Sequence, residues 1–496
     1  MKVRFTAEII DDDGNVIGNC VSEAGGIPCP DDFDLSTKEG FLRDFDKLEK
    51  AVLKARNQIG KDIVEKTLDN TSKKKQNFIC ERKSEVESEL GRIDTQVFDK
   101  LAQSQQPKER IDSVAYQLLA SKMCTNLSYR KSVEMINLFL HREDEDAIKL
   151  RTLSDSMNRI GNKISCKLEE TSGRILKMNG FNKETGLPEK NVILSENITA
   201  PNVPAKDGTD EKHIQDVIDN INEEREEKIP FNANELEIEA NPADCVYISI
   251  DDIGVKHQKA SRNQEEIMDS KYIENTVVHI QYGSAPYALT SIGMRETIKL
   301  VLSFLLFNNL LNKELIFFTD GAKNIKSHIE SVFSFHPYTV ILDWFHLKKK
   351  CQELLSMSIK GKESRNEVLE KLLRILWIGD VDGAIKYMRN LPSTKIKNEK
   401  WLEEQIGYLE RKKEMIKCYA VRAKLELRNS SNPVEKENDI LVAQRQKHNG
   451  MSWSKNGSGS LAAIKMAFQN GYEDIWFHQE QISFTISGSK SLDLCA

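Results

Sequence analysis

Two aspartates stand where strand-like runs end, Asp251 in Val-Tyr-Ile-Ser-Ile-Asp-Asp and Asp320 in Leu-Ile-Phe-Phe-Thr-Asp-Gly-Ala. A carboxylate at the end of a buried strand reaches the rim of a sheet, where two such groups can share divalent cations. Strand parity chooses between the neighbours Asp251 and Asp252. Val246, Ile248 and Ile250 alternate with Tyr247 and Ser249, so Asp251 falls on the Ser249 face and Asp252 on the apolar one. Asp251 is therefore the first candidate, with Asp252 as the alternative. A third carboxylate must come from later in the chain. Pro433 suits the start of a helix that runs to Lys447, and Glu435 then falls in its first turn, where the helix dipole favours any acid. His346 follows Asp343 by three residues and could contact a phosphate, orient Asp343 or simply pack.

The elements that must position these groups follow from periodicity. After the strand at 246–250, residues 254–259 and 276–282 read as two more strands, close enough for an antiparallel meander. A long apolar helix from about Ser291 to Leu311 precedes Leu315–Thr319, a continuous apolar run of the kind buried on both faces. Asp320-Gly321-Ala322 then opens a helix over 323–333, and Thr339–Leu342 reads as a fifth strand. The order β-β-β-α-β-α-β, with acids after the first and fourth strands, is the ribonuclease H-like topology, which sets those two strands side by side. The predicted fold is α/β, a mixed five-stranded sheet with a helical insertion, preceded by a mainly helical N-terminal region. Six segments follow: an acidic arm or edge hairpin (1–40), a helical region with a candidate helix-turn-helix (41–170), a linker (171–242), the first part of the catalytic core (243–346), the helical insertion (347–430) and the rest of the core (431–496). The helix-turn-helix candidate pairs a helix opening at Ser128-Tyr129-Arg130-Lys131 with another opening at Leu153-Ser154-Asp155; an ordinary helical hairpin reads equally well.

Composition bounds the class. The 496 residues are 39% hydrophobic and 30% charged, with a formal net charge of -6, so any nucleic-acid contact must come from local charge. Lys348-Lys349-Lys350 is compact, and ten Lys or Arg against six Glu lie between Lys395 and Arg428. The longest apolar stretch, Leu300 to Phe318, is broken by Asn308, Asn309, Asn312, Lys313 and Glu314, and no membrane span is expected. Nine cysteines without a CxxC pair support neither a zinc site nor a disulfide framework, and a reducing cytoplasm is the expected setting. The glycines of 450–459 do not form a phosphate-binding P-loop.

Three motifs carry a family resemblance: Thr319-Asp320-Gly321-Ala322, Leu342-Asp343-Trp344-Phe345-His346-Leu347, and Val434-Glu435 followed by Arg445-Gln446-Lys447-His448-Asn449-Gly450-Met451-Ser452-Trp453-Ser454. Together, over about residues 128–466, they resemble DDE transposases of bacterial insertion sequences, of the ISLre and ISKra type related to the Mutator-like group. The chain has Ser430-Ser431-Asn432-Pro433 where that family often has Gly-Ser-Gly, and Asp252-Ile253-Gly254 where glycine usually follows the first acid directly. The resemblance implies Asp251, Asp320 and Glu435 as catalytic acids and ligands of two Mg²⁺ ions, with Mn²⁺ as a substitute, and His346 beside them. Two such ions stabilise the attacking and leaving oxygens of a phosphodiester in line, so no nucleophilic side chain is required. Expected DNA contacts are Lys348, Lys349, Lys350, Arg445, Lys447 and Trp453, the last either stacking on a base or serving as core. The implied substrates are the element's terminal inverted repeats and target duplex DNA, handled by at least a dimer at the bacterial nucleoid. A metal-dependent nuclease on the same fold and a domesticated, inactive DNA-binding protein are the alternatives.

Overall fold

The computed structural model describes residues 1–74, 81–98, 109–142, 144, 147–201, 210–258, 271–448 and 450–486. Lys259 of the expected second strand, Asn449 of the third motif, 202–209 of the expected linker and 487–496 of the last segment lie outside them. The chain divides into two compact units, Met1–Ile160 with Glu473–Gln479, and Gly161–Tyr472 with Glu480–Ala496.

The first unit opens with the hairpin β1 (Val3–Ile10) and β2 (Val16–Ala24), so the acidic arm takes its hairpin form. The Asp11 carboxylate accepts the Asp13 and Asn15 amides, and Gly14 supplies a left-handed φ of 85°. Ala24 and Ile27 then pack on Ala51 and Ala55 of the helix α1 (Lys38–Lys74). The region expected to be helical also contains a sheet of β3 (Glu81–Ser88), β4 (Gly91–Phe98) and β5 (Glu109–Asp112) in the order β4-β3-β5. Strands such as Glu-Arg-Lys-Ser-Glu-Val-Glu-Ser lack the apolar alternation that marks a half-buried strand, which is why periodicity does not reveal them. The helices α2 (Val114–Asn126) and α3 (Tyr129–Phe139) are capped by the hydroxyls of Ser113 and Ser128. The expected helix-turn-helix pair does not have a tight turn: residues 140–149 separate α3 from α4 (Leu150–Met178), whereas that motif uses three or four. The close pair is instead α2 and α3, joined by Leu127-Ser128.

The second unit takes the end of α4, the short α5 (Glu196–Thr199) and α6 (Glu211–Glu224) into a five-stranded mixed sheet and a helical excursion. Its strands are β6 (Val246–Lys256), β7 (Tyr272–Tyr282), β8 (Ala285–Ser291), β9 (Leu315–Thr319) and β10 (Thr339–Leu342), in the order β10-β9-β6-β7-β8. β9 and β10 match their predicted spans. The segment expected as two strands, 246–250 and 254–259, is instead one, because Gly254 continues the ladder opposite Glu274 and does not break it. The meander is completed by β8, whose last residue, Ser291, is where the following helix is expected to begin. That helix, α7 (Met294–Phe307), starts later, after Gly293 at φ 124°. β9 is buried at every position, as its unbroken Leu-Ile-Phe-Phe-Thr requires between two covering layers. α8 (Lys323–Val332) links β9 to its parallel neighbour β10.

The expected insertion is helical throughout: α9 (Trp344–Ser358), α10 (Lys362–Trp377), α11 (Val381–Arg389), α12 (Glu399–Lys412) and α13 (Tyr419–Lys424). It shares one core with the sheet, in which Ile316, Phe318, Ile341 and Leu342 pack with Leu347, Leu355, Leu376 and Tyr419. The end of the expected linker is also packed structure. Ile214, Ile218 and Ile221 of α6 join Ile229, Ala233, Ile378 and Val421 in a second cluster. The chain then runs through α14 (Asn432–Asn438), a π-helical turn (Asp439–Ala443), α15 (Gln444–Gln446) and α16 (Lys455–Gln469). Among the described residues no helix is long and apolar enough to cross a membrane.

Candidate active site

The parallel pairing of β6 with β9 ends at Ser249↔Phe318, so continuing the register by two residues sets Asp251 level with Asp320. β6 itself runs on to Lys256 against β7, and Asp251 therefore lies within a strand, just beyond the point where β9 stops. The two neighbouring acids diverge as strand parity expects. Asp251 Oδ2 accepts the Asn438 amide at 2.7 Å from α14, whereas Asp252 Oδ1 accepts the Thr276 hydroxyl at 2.6 Å across the ladder. Burial, then the charge of Asp320, raises the Asp251 carboxyl to about 6, although the Asp252 N–H and His346 pull the other way. Burial also pushes Asp252 up, against the Thr276 hydrogen bond, with Glu274 and Asp320 adding to the rise.

Asp320 is held by its own turn. Ala322 N donates to Asp320 Oδ1 at 2.7 Å and Gly321 N to Thr319 Oγ1 at 3.1 Å. Gly321 has φ 84°, and a Cβ there would stand 2.7 Å from Leu342 Cδ1, so the Asp-Gly pair answers both a left-handed backbone and a tight approach.

Asp343 is fully buried and ties three elements together. Its N–H continues the ladder to Thr319 O at 2.9 Å, its Oδ1 caps α9 by accepting the His346 amide at 2.8 Å, and its Oδ2 accepts the Ser431 amide at 2.5 Å and hydroxyl at 3.0 Å. Ser431 immediately precedes α14, so a serine hydroxyl and amide make this junction. His346 Nε2 then lies 3.2 Å from Glu435 Oε1. Asp343→Ala should cost about 2–3 kcal/mol through the lost cap and the two orphaned Ser431 donors, read as a lower denaturation midpoint of this unit, and Asp343→Asn should cost less.

The acids do not close into one triad. Asp251 and Asp320 interact as a pair, Glu435 faces His346, and among the described residues no group of three or more His, Cys, Asp or Glu is gathered to hold a metal ion. The donor set nevertheless suits a hard divalent cation: two opposed carboxylates, a half-exposed glutamate, and the Asn438 amide oxygen, which is buried with no hydrogen-bond partner among the described residues.

Two expected DNA contacts belong instead to the interior. Arg445 is buried with its guanidinium 5.0 Å from the centre of the Trp453 ring, and Trp453 gives its indole N–H to Gln446 O at 3.1 Å while its backbone bonds Lys256 and Gln258. Trp453 thus takes the core alternative, 5% exposed with its backbone closing the strand end at Lys256 and its ring against Arg445. Lys348, Lys349, Lys350 and Lys447 are exposed. Two nearby groups escape a reading of the sequence. Lys412, lowered by burial and by Lys326, with Asp320 opposing, approaches Gly321 from α12; only its place in a basic run marks it. Asn438 carries no signal beyond standing three residues after Glu435.

No known protein family's model matches the chain, and no curated protein does either.

Proposed function

We propose that this chain is a DDE-type DNA transposase with a ribonuclease H-like core, of the insertion-sequence group its motifs resemble. The observation that carries the reading is the junction of Asp251 and Asp320 on neighbouring parallel strands, with Asn438 reaching over to Asp251 from α14. The strand order β10-β9-β6-β7-β8, one antiparallel meander extended by two parallel strands, supports the fold assignment. Mg²⁺ or Mn²⁺ held by Asp251 and Asp320, and by Glu435 once it turns from His346, would supply Lewis-acid stabilisation of the oxygens that attack and leave phosphorus.

The residues themselves divide the remaining work. The Asp252 N–H and the Asn438 amide fix the two oxygens of Asp251, one each. His346, set by its capped backbone, keeps the Glu435 carboxylate at the rim. Asp343 locks the start of α9 to the start of α14 across a separation of 88 residues.

DNA must also be gripped away from the reacting bond. In the first unit a cleft of about 660 Å³ is lined by Lys47, Lys50, Lys54 and Lys61 together with Asp144; Lys47 and Lys50 pair with Asp44 and Asp46, Arg142 at the same wall is buried against Glu87, and the lysines are the groups that would meet phosphates. Reversing Lys50 and Lys54 to glutamate should weaken duplex binding and flatten its salt dependence, by about 0.9 in log–log slope for each phosphate left without its cation, measured by fluorescence anisotropy. Handling two DNA ends calls for at least a dimer on DNA, at the nucleoid of a bacterial cytoplasm.

The decisive experiment incubates the protein with Mg²⁺ and labelled duplexes that carry the DNA flanking its coding sequence. Cleaved ends joined to a target plasmid, absent with Asp320→Ala, are the expected result. Cleavage without joining would make the protein a nuclease, and metal-independent binding alone would leave a DNA-binding protein.

A further inference from the structure

We propose that Asn438 is part of the active site: through it the catalytic helix holds Asp251, and its amide oxygen completes the oxygen set offered to a divalent cation. The proposal rests on the two-carboxylate reading above. Glu435 is the helix's expected ligand, yet its side chain is half exposed and turned to His346. One turn later on the same side of the helix, Asn438 makes the contact that Glu435 does not, with Nδ2 donating to Asp251 Oδ2 at 2.7 Å.

The other half of the amide is unspent. Asn438 is 7% exposed and its Oδ1 is buried without a hydrogen-bond partner among the described residues. An orphaned buried acceptor costs about 1–3 kcal/mol, and native proteins rarely carry one without a reason. A neutral amide oxygen is a hard ligand of the kind Mg²⁺, Mn²⁺ and Ca²⁺ accept. Since the amide is planar and its nitrogen is engaged with Asp251, that oxygen stays within reach of an ion Asp251 binds.

Helix geometry gives a second, independent mark. The π turn begins at Asp439, the next residue, and such wide turns are rare and concentrate at functional sites. Beyond it the helix is pinned: Gln446 exchanges hydrogen bonds with Ser458 at 2.7 and 3.2 Å, and Arg445 stacks on Trp453. An ordinary α-turn would put Asn438 and this anchor out of phase. The extra residue lets both ends of the helix meet their partners at once, which fixes Asn438 over Asp251.

The test is Mn²⁺ titration of the full-length protein without DNA, followed by electron paramagnetic resonance, alongside Mg²⁺-dependent cleavage. Asn438→Ala should weaken Mn²⁺ binding about 10–100-fold and cleavage with it, and Asn438→Asp, which restores an oxygen ligand, should recover Mn²⁺ binding. Mn²⁺ affinity within about twofold of wild type in Asn438→Ala, with only the melting temperature changed, would overturn the role of Asn438 alone. If wild type binds Mn²⁺ no tighter than Asp320→Asn, the two-carboxylate reading falls, and Asn438 with it. Asn438→Ser carries the same comparison should the alanine variant not fold.

Discussion

Glu239→Ala is expected to destabilise the second unit by about 3–5 kcal/mol, the largest loss foreseen for any single side chain of this protein. Glu239 and Arg422 are each 1% exposed and meet in a bidentate pair, Nη1 to Oε2 at 2.8 Å and Nη2 to Oε1 at 2.6 Å. Removing the carboxylate strands a guanidinium where water cannot reach it. The damage would spread, because the same guanidinium donates to Arg428 O at 2.9 Å and to Asn429 Oδ1 at 3.2 Å, just before Ser431 and α14. Cleavage should therefore fall together with stability. In Glu239→Leu with Arg422→Met the buried charge is gone, and most but not all of the loss should be regained, since Arg428 O still lacks its donor. Urea denaturation of the single and double variants checks this, and equal loss in both would count against the pair as the cause.

The second expectation has the opposite sign. Asp251→Asn should stabilise the metal-free protein at about pH 7.5 while abolishing cleavage. Ionised Asp251 is a cost to the folded state because burial and Asp320 lift its carboxyl from an ordinary aspartate value to about 6. That difference corresponds to at most about 3 kcal/mol. Between roughly pH 4 and 6 the folded protein holds a proton that the unfolded chain has released, so this contribution to stability declines as pH rises through the window. The gain from asparagine should thus be full above about pH 6 and vanish near pH 4. Mg²⁺ should raise the melting temperature of wild type and leave the variant unmoved, since only a native-state ligand shifts the equilibrium. A variant that melts below wild type at about pH 7.5 would contradict the strained-acid account.

Residues that announce themselves by alternation or by punctuation are legible in the sequence. Leu315–Thr319 and Thr339–Leu342 can be read to the residue, as apolar runs bounded by Asp-Gly and Asp-Trp. The adjacency of the strands bearing Asp251 and Asp320 follows from topology alone. Gly254 misleads because glycine usually interrupts a strand, and here the pairing with Glu274 carries straight through it. β3 escapes because its run of charged and polar residues bears no apolar stripe. Arg445 looks like a surface residue by type and Trp453 reads as base-stacking or core alike; the tertiary packing of a strand end against the last motif makes both interior. Asn438 is illegible for a different reason: its partner lies 187 residues earlier in the chain, a separation that no local pattern records.

The excursion between β10 and α14 has a consequence for how such a protein can change in size. The chain departs at Trp344 and comes back at Asn429, and the Trp344 amide bonds the Asn429 carbonyl at 3.2 Å, so the doorway is one hydrogen bond wide. Closing a loop with its ends so near depends only weakly on what lies between, about 0.6 kcal/mol for each doubling of length. Closure entropy therefore sets little limit on the length of what lies from α10 to α12, provided Tyr419 still reaches the Leu342 carbonyl at 2.7 Å and an apolar face such as that of Leu376 and Leu409 still completes the core it shares with the sheet.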